Sequence, residues 1–216
     1  MLKKHNLEPK RKLLLTGPPG TGKTMTAQAI AGELGLAVYI IRLDGLISKY
    51  LGESIAKLRL IFDAMIDHRA VYLFDEFDSI GSHRNVQHDV GEIKRVLNSF
   101  LINIEKDASN SVIIAATNLP ESLDIALFRR FDDIIKYPLP DHEHRAAILK
   151  KYLTKFKFDS KISYKALTEV SDGLNYSDIV KACEDTIKDM ILSDSTTLNL
   201  KLLEENLMKR NIVNGK

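Results

Sequence analysis

Gly17-Pro-Pro-Gly-Thr-Gly22-Lys23-Thr24 is the stretch that decides the fold. It follows an apolar run at residues 12–15. It precedes residues 23–34, where Ala27, Ile30, Ala31 and Leu34 recur at helical spacing up to the stop at Gly35. Strand, glycine-rich loop and helix in that order make the eight-residue phosphate-binding pattern. Glycines let backbone N–H groups turn inward around phosphate oxygens, and the following helix adds its positive N-terminus. Lys23 can reach the β- and γ-phosphates, and the Thr24 hydroxyl can ligate Mg²⁺. An ordinary glycine-rich turn is the alternative, and the flanking strand and helix argue against it.

Around this loop, strand-like and helical segments alternate. Residues 37–41 are a short run rich in β-branched side chains, and 53–67 carries Ile55, Leu58, Ile61, Phe62 and Met65 at helical spacing. Residues 71–74 are apolar without alternation, as in a strand buried on both faces of a parallel sheet. Residues 91–105 read as a helix, 111–116 as another buried strand, and 134–137 as a last strand before Pro138 and Pro140. The pattern predicts an α/β fold with a right-handed, mainly parallel five-stranded sheet flanked by helices. Beyond Pro140 only helices are predicted, at 142–156, 163–170, 176–192 and 200–210. A boundary is therefore expected near Pro140–Asp141. It divides a nucleotide-binding α/β subdomain, 1–140, from a small all-α subdomain, 141–216.

The 216 residues include 31 Lys+Arg and 29 Asp+Glu, a net charge of +2, with 44% hydrophobic residues. Such a composition excludes wholesale disorder and supplies no bulk charge for nucleic acid, so no nucleic-acid partner is expected. Lys3, Lys4, Lys10, Arg11 and Lys12 read as a solvated face. The single Cys183 excludes an internal disulfide and a multi-cysteine metal centre. Its position between Ile179 and Ile187 suggests a buried structural thiol. Apolar stretches such as 36–41 fall far short of the ~20 residues that cross a bilayer. The polar N-terminus has no signal-type apolar region, so a cytoplasmic protein with no membrane association is expected.

Val71-Tyr-Leu-Phe-Asp75-Glu76 ends a buried strand on two carboxylates. Ligands of open parallel sheets sit at the C-terminal ends of strands, which turns Asp75 toward the crevice that Thr24 faces, where it helps hold Mg²⁺. Glu76 need not touch the metal and can polarise an attacking water as a general base. Alone, Asp-Glu after an apolar run often only caps a strand. Downstream of a phosphate loop it argues for hydrolysis, since a simple kinase must exclude water.

The 17–24 loop, Asp75-Glu76, Asn118 within Ala115-Ala-Thr-Asn118, and Arg129-Arg130-Phe131-Asp132 occur in the order of an AAA ATPase, a P-loop NTPase of the AAA+ superfamily. The resemblance covers nearly the whole chain, including a helical lid. The arginine pair is similar to that of the katanin–spastin type of meiotic clade. Asp75-Glu-Phe-Asp78 and Gly91-Glu-Ile-Lys-Arg-Val96 suggest a bacterial member. The resemblance implies ATP/ADP and Mg²⁺ as ligands. It places Gly17, Pro18, Pro19, Gly20, Thr21, Gly22, Lys23, Thr24 and Met25 around the nucleotide, with Thr24 and Asp75 toward the metal. It makes Asn118 the sensor that orients the lytic water, and Arg129 and Arg130 the fingers that complete a neighbouring subunit's site. A guanidinium fork matched to developing γ-phosphate charge is worth about 10³–10⁵ in rate. Arginines acting in trans imply a ring homo-oligomer, a hexamer.

Ser48-Lys49-Tyr50-Leu51-Gly52-Glu53 resembles the pore loop of AAA unfoldases, an aromatic, an aliphatic and then glycine. Lys49, Tyr50, Leu51 and Gly52 would line a channel, Tyr50 gripping a polypeptide by apolar contact with little sequence preference. The plainer reading packs Tyr50 and Leu51 onto the domain and lets Gly52 open the next helix. Residues 83–91 are a weaker second pore-facing candidate. The lid departs from the family pattern, with Tyr176-Ser177 where Gly-Ala is usual. Ser177 is small enough to lie close to the nucleotide, and Tyr152 falls where some relatives place a base-contacting His. The function implied is an ATP-hydrolysing module that assembles into a ring and remodels, unfolds or threads protein substrates. A nucleotide-dependent scaffold with incidental hydrolysis is the alternative. A nucleic-acid motor is disfavoured by the near-neutral charge and the Tyr-Leu-Gly loop.

Overall fold

The computed structural model describes residues 2–5, 7–46, 52–78 and 89–213. The elements up to residue 137 run β1 (Lys12–Thr16), α1 (Lys23–Leu34), β2 (Val38–Arg42), α2 (Leu43–Leu46), α3 (Glu53–Asp67) and β3 (Val71–Asp75). They continue as α4 (Asp89–Lys106), β4 (Val112–Thr117), α5 (Ile125–Phe128) and β5 (Asp133–Lys136). The strands form one sheet in the order β2-β3-β4-β1-β5, every pairing parallel, as the alternating pattern predicts. Register sets Thr16 beside Thr117 and Arg42 beside Asp75, so the polar ends of four strands lie along one edge of the sheet.

Period-two burial explains why the central strands read as unbroken apolar runs. Leu14, Phe74, Ile113 and Ala115 share one core with Leu58, Phe62 and Met65 of α3 and Phe100 and Ile104 of α4. Leu15, Leu73, Ile114 and Ala116 face the other way, against Ala27 and Ala31 of α1, whose small side chains let that helix approach closely. Phe100 meets Phe62, Phe74 and Phe77 edge-on, with centroids 5.7, 5.0 and 4.8 Å apart. Each such pair adds about 0.5–1.5 kcal/mol beyond simple burial. Phe77 thereby anchors the chain one residue beyond Glu76. Two of the N-terminal cations depart from the expected solvated face. Arg11 is paired with the buried Asp107, and Lys12 Nζ donates to the Ile104 carbonyl at 2.6 Å. Lys10 stays exposed beside Asp133.

By internal contact the chain divides into two compact units. One is Met1–Gly17 with Lys23–Tyr137, and the other is Pro18–Gly22 with Pro138–Lys216. The second unit contains α6 (His142–Leu153), β6 (Lys157–Phe158), α7 (Tyr164–Val170), α8 (Tyr176–Leu192), β7 (Thr197–Leu198) and α9 (Leu200–Val213). Its helices bury Leu149, Leu153, Leu167, Ile179, Cys183 and Leu203 in a core of their own. Asp141, Ser163 and Asn175 cap α6, α7 and α8, each accepting a backbone N–H of the first turn. The buried Arg145 donates to the carbonyls of Pro140 (2.9 Å) and Thr168 (3.1 Å) and pairs with Asp172, tying the unit's first residues to its second helix. β6 and β7 pair in parallel, which the helix-only expectation for this half lacks, because two-residue strands are too short to show a period. Among the described residues no helix is long and apolar enough to cross a membrane.

Burial pushes the Cys183 thiol up to about 12. A thiol held protonated inside a helical core is a poor nucleophile. We predict that iodoacetamide at pH 8 leaves Cys183 unmodified in the native chain and alkylates it fully in denaturant, as read by intact mass. Rapid native alkylation would contradict the packing of α8.

Candidate functional site

The structure brings Thr24 and Asp75 together: the Thr24 hydroxyl donates to Asp75 Oδ2 at 2.9 Å, joining the start of α1 to the end of β3. Lys23, one residue earlier, is 7% exposed. Its ammonium donates to the Gly17 carbonyl at 2.6 Å and to Asn118 Oδ1 at 2.8 Å, which draws the end of β4 into the same group. Burial lowers the Lys23 pKa from the ordinary lysine value, while the negative charges of Asp75 and Asp78 oppose that shift. Gly17 is locked where β1 ends. Its N–H donates to Thr117 O at 3.2 Å, its φ is +146°, and a Cβ there would lie 2.1 Å from the Tyr137 carbonyl oxygen.

The apex of the loop, Pro18–Gly22, belongs with the helical unit. Thr21 is buried, and its hydroxyl donates to Pro18 O at 2.8 Å, closing the turn over the exposed Pro19. Gly20, with φ +72°, packs so tightly on the α8 cap that a Cβ would meet Asn175 Oδ1 at 2.4 Å. Its carbonyl accepts the Ser177 N–H at 3.1 Å, so Ser177 meets the loop through its backbone. Tyr152 packs against the core of this unit. Met25 is 69% exposed.

Glu76 has φ +56°, a left-handed conformation that a residue with a Cβ adopts only when its surroundings hold it there. Its carboxylate pairs with Arg42 at 3.2 Å, and Arg42 also pairs with Asp44 at 3.0 Å. Hydrogen bonding to Asp44, then the charges of Asp44 and Glu76, raise the Arg42 pKa. Arg42 and Asp78 escape a motif-based reading. The usable signal for Arg42 is its place at the end of β2, in register with Asp75. Asp78 Oδ1 accepts from Asn118 N at 3.0 Å and Thr117 Oγ1 at 3.3 Å.

Arg129 and Arg130 are exposed just beyond α5, seated by the buried Leu127 and Phe131, and Arg130 pairs with Glu105 at 2.8 Å. Lys49, Tyr50 and Leu51 lie outside the described residues, as does most of the 83–91 candidate, whereas Gly52 is described and immediately precedes α3.

A hydroxyl and a carboxylate within 2.9 Å of each other are oxygen donors suited to a hard divalent cation. Among the described residues no group of three or more His, Cys, Asp or Glu could hold a metal ion. A cation that takes only one or two protein side chains, as Mg²⁺ does, would fit this pair, with Thr24 and Asp75 as the residues that would hold it.

A strand–glycine-rich loop–helix of this pattern beside two acidic residues at the end of another strand of the same parallel sheet is the arrangement of a P-loop nucleotide-binding protein. The model of the ATPase family associated with various cellular activities (AAA) matches residues 13–139, and the chain belongs to that family. The uncharacterized AAA family ATPase y4kL of Sinorhizobium fredii is 38% identical over 197 residues, covering 88% of this chain and 57% of that protein. A proteasome-activating nucleotidase of Saccharolobus islandicus is 35% identical over 217 aligned residues, 95% of this chain and 54% of that protein. One from Methanoculleus marisnigri is 35% identical over 192 residues, 85% of this chain and 46% of that protein. The chain thus spans about half the length of the curated relatives it matches. These names support the AAA assignment and leave the narrower katanin–spastin likeness unconfirmed.

Gly17→Ala tests the cradle. A methyl group cannot share space with the Tyr137 carbonyl, and the backbone angle adds strain, so the variant should lose about 2 kcal/mol or more of stability. Thermal unfolding and titration with a fluorescent nucleotide should both report the loss. Unchanged melting with unchanged binding would contradict the described packing.

Proposed function

We propose that the chain is a Mg-ATP-hydrolysing module that works in a ring, a hexamer, and remodels protein substrates. Residues 1–140 serve as its nucleotide-binding subdomain and 141–216 as its helical lid. The observation that carries the reading is the pairing of Lys23 with Asn118 and of Thr24 with Asp75, through side-chain hydrogen bonds of 2.8 and 2.9 Å, at the start of α1 and the ends of β4 and β3. One helix start and two strand ends, far apart in sequence, deliver a cation, a hydroxyl, a carboxylate and an amide to one sheet edge, where a polyphosphate needs them.

In this reading Lys23 exchanges its carbonyl and amide acceptors for phosphate oxygens, which are stronger partners of an ammonium group. Backbone N–H groups of the 17–24 loop bind the phosphate chain, with Met25 beside the nucleotide and Tyr152 and Ser177 as lid-side contacts. Thr24 and Asp75 hold Mg²⁺, which when bound neutralises phosphate charge. Glu76 takes the proton of the attacking water, and Asn118 orients that water. Arg129 and Arg130 stabilise the charge that develops on a neighbouring subunit's phosphate, a role their exposure supports. The protein-directed work rests on the likeness to proteasome-activating nucleotidases and on the 49–52 segment, in which Tyr50 would grip the substrate.

Steady-state ATPase activity, measured across a wide range of protein concentration, tests the proposal. Specific activity should climb steeply as subunits assemble. Glu76→Gln should lower it by about 10²-fold or more, as expected for loss of a general base. Arg130→Ala should lower it by about 10³-fold. A strictly monomeric preparation with full turnover would overturn the shared site, and an active Glu76→Gln variant would remove the general base.

A further inference from the structure

Asp78 sits at the end of the turn that carries Glu76, and it binds the residue after β4. Its Oδ1 accepts the backbone N–H of Asn118 at 3.0 Å and the hydroxyl of Thr117 at 3.3 Å. One residue earlier, Phe77 donates its N–H to Ala116 O at 2.9 Å, and its ring is fully buried against Phe100. The turn is therefore fastened to the end of β4 at two consecutive residues, directly after the left-handed Glu76. On the far side of Asn118, the side-chain oxygen accepts from Lys23 Nζ at 2.8 Å, and Lys23 donates in turn to Gly17 O. One line of hydrogen bonds thus runs from Asp78 through Asn118 and Lys23 to the base of the phosphate loop. Thr117 Oγ1 also accepts the Leu119 N–H at 3.1 Å, so the turn beyond β4 hangs on the same hydroxyl that Asp78 holds.

We propose that Asp78 is a positioning residue for hydrolysis: it fixes the turn bearing Glu76 and the backbone of Asn118 in one geometry, without touching nucleotide or metal. The inference rests on the roles of Glu76 and Asn118 proposed above. Two groups that must meet the same water come from different strands, β3 and β4, and each is the first residue beyond its strand. Backbone pairing ends with the strands, so beyond them an added bond is needed to keep the two groups in register. A carboxylate accepting a backbone N–H supplies a strong, short and directional one. Displacement of reacting groups by about an ångström can cost ~10²-fold in rate, which sets the scale of the advantage.

The test uses the full chain and the variants Asp78→Asn, Asp78→Ala, Asn118→Ala and the double variant Asp78→Ala/Asn118→Ala. Three quantities are read: kcat at saturating Mg-ATP, Kd for Mg-ADP, and the amide hydrogen-exchange rate of Asn118. D78A should lower kcat about tenfold, the cost of one charge-assisted hydrogen bond, and leave Kd within about twofold. D78N retains an acceptor oxygen and should recover most of that loss. The double variant should lose less than the product of the two single losses, because Asp78 acts in part by placing the Asn118 side chain. Asn118 amide exchange should quicken about tenfold in D78A and stay near wild type in D78N.

Wild-type kcat in D78A, a D78N variant as slow as D78A, or losses that multiply in the double variant would each overturn the proposal. Should D78A fail to fold, Asp78→Ser, whose oxygen stops short of the Asn118 N–H, replaces it with the same expected and overturning results. A wild-type chain without turnover would sink the hydrolysis reading instead. The exchange comparison then decides the matter alone, and equal Asn118 exchange in wild type and D78A overturns the role of Asp78.

Discussion

An ammonium ion withdrawn from water has to be given acceptors, and Lys23 receives the Gly17 carbonyl and the Asn118 side chain. That requirement reaches into much of the first unit. Gly17 must turn its carbonyl back over the start of α1, which its φ of +146° permits and which the Tyr137 backbone behind it enforces. Asn118 must end the strand that neighbours β1, so β4 has to pair with β1 in the register that sets Thr16 beside Thr117. The negative charges of Asp75 and Asp78 make the buried cation tolerable by opposing the effect of burial on its pKa. A shift of strand order or register would take Asn118 away from the buried cation, and losing an acceptor there costs on the order of 1–3 kcal/mol.

In the proposed function the same arrangement prepares the site for phosphate. Lys23 is bonded to acceptors that a phosphate chain can replace, and Thr24 is bonded to a carboxylate that a divalent cation can share. Both bonds keep the side chains in place before a ligand arrives, which lowers the ordering cost of binding. Glu76 is held differently. Its backbone is constrained by the anchored Phe77, whereas among the described residues its carboxylate pairs with the exposed Arg42, a pair of little strength in water. The group proposed to act on water is thus fixed at the backbone and adjustable at the tip.

Much of this was legible in the sequence wherever it depended on local pattern. The loop motif, the helix at 23–34 and the helix at 53–67 carry their own signals, and their bounds agree with the structure. The buried strands were visible as unbroken apolar runs because both faces of the sheet are covered. What stayed hidden depends on long-range pairing. Arg42 meets Glu76 only because β2 lies beside β3, and Asp78 meets Asn118 only because β3 lies beside β4. The fit of Gly20 against Asn175 joins residues from opposite ends of the chain, and no periodicity encodes it. Arg11, expected on a solvated face, is half-buried where it pairs with Asp107 just beyond α4.

The most direct test of the central claim is a calorimetric titration of ADP, with and without Mg²⁺, into the wild-type chain and the Lys23→Ala and Asp75→Ala variants. Wild type should bind in a Mg²⁺-dependent way, Lys23→Ala at least about tenfold more weakly, and Asp75→Ala with little response to Mg²⁺. Equal affinity in wild type and Lys23→Ala would contradict that claim, because the buried ammonium around which the sheet edge is built would then have no part in holding phosphate.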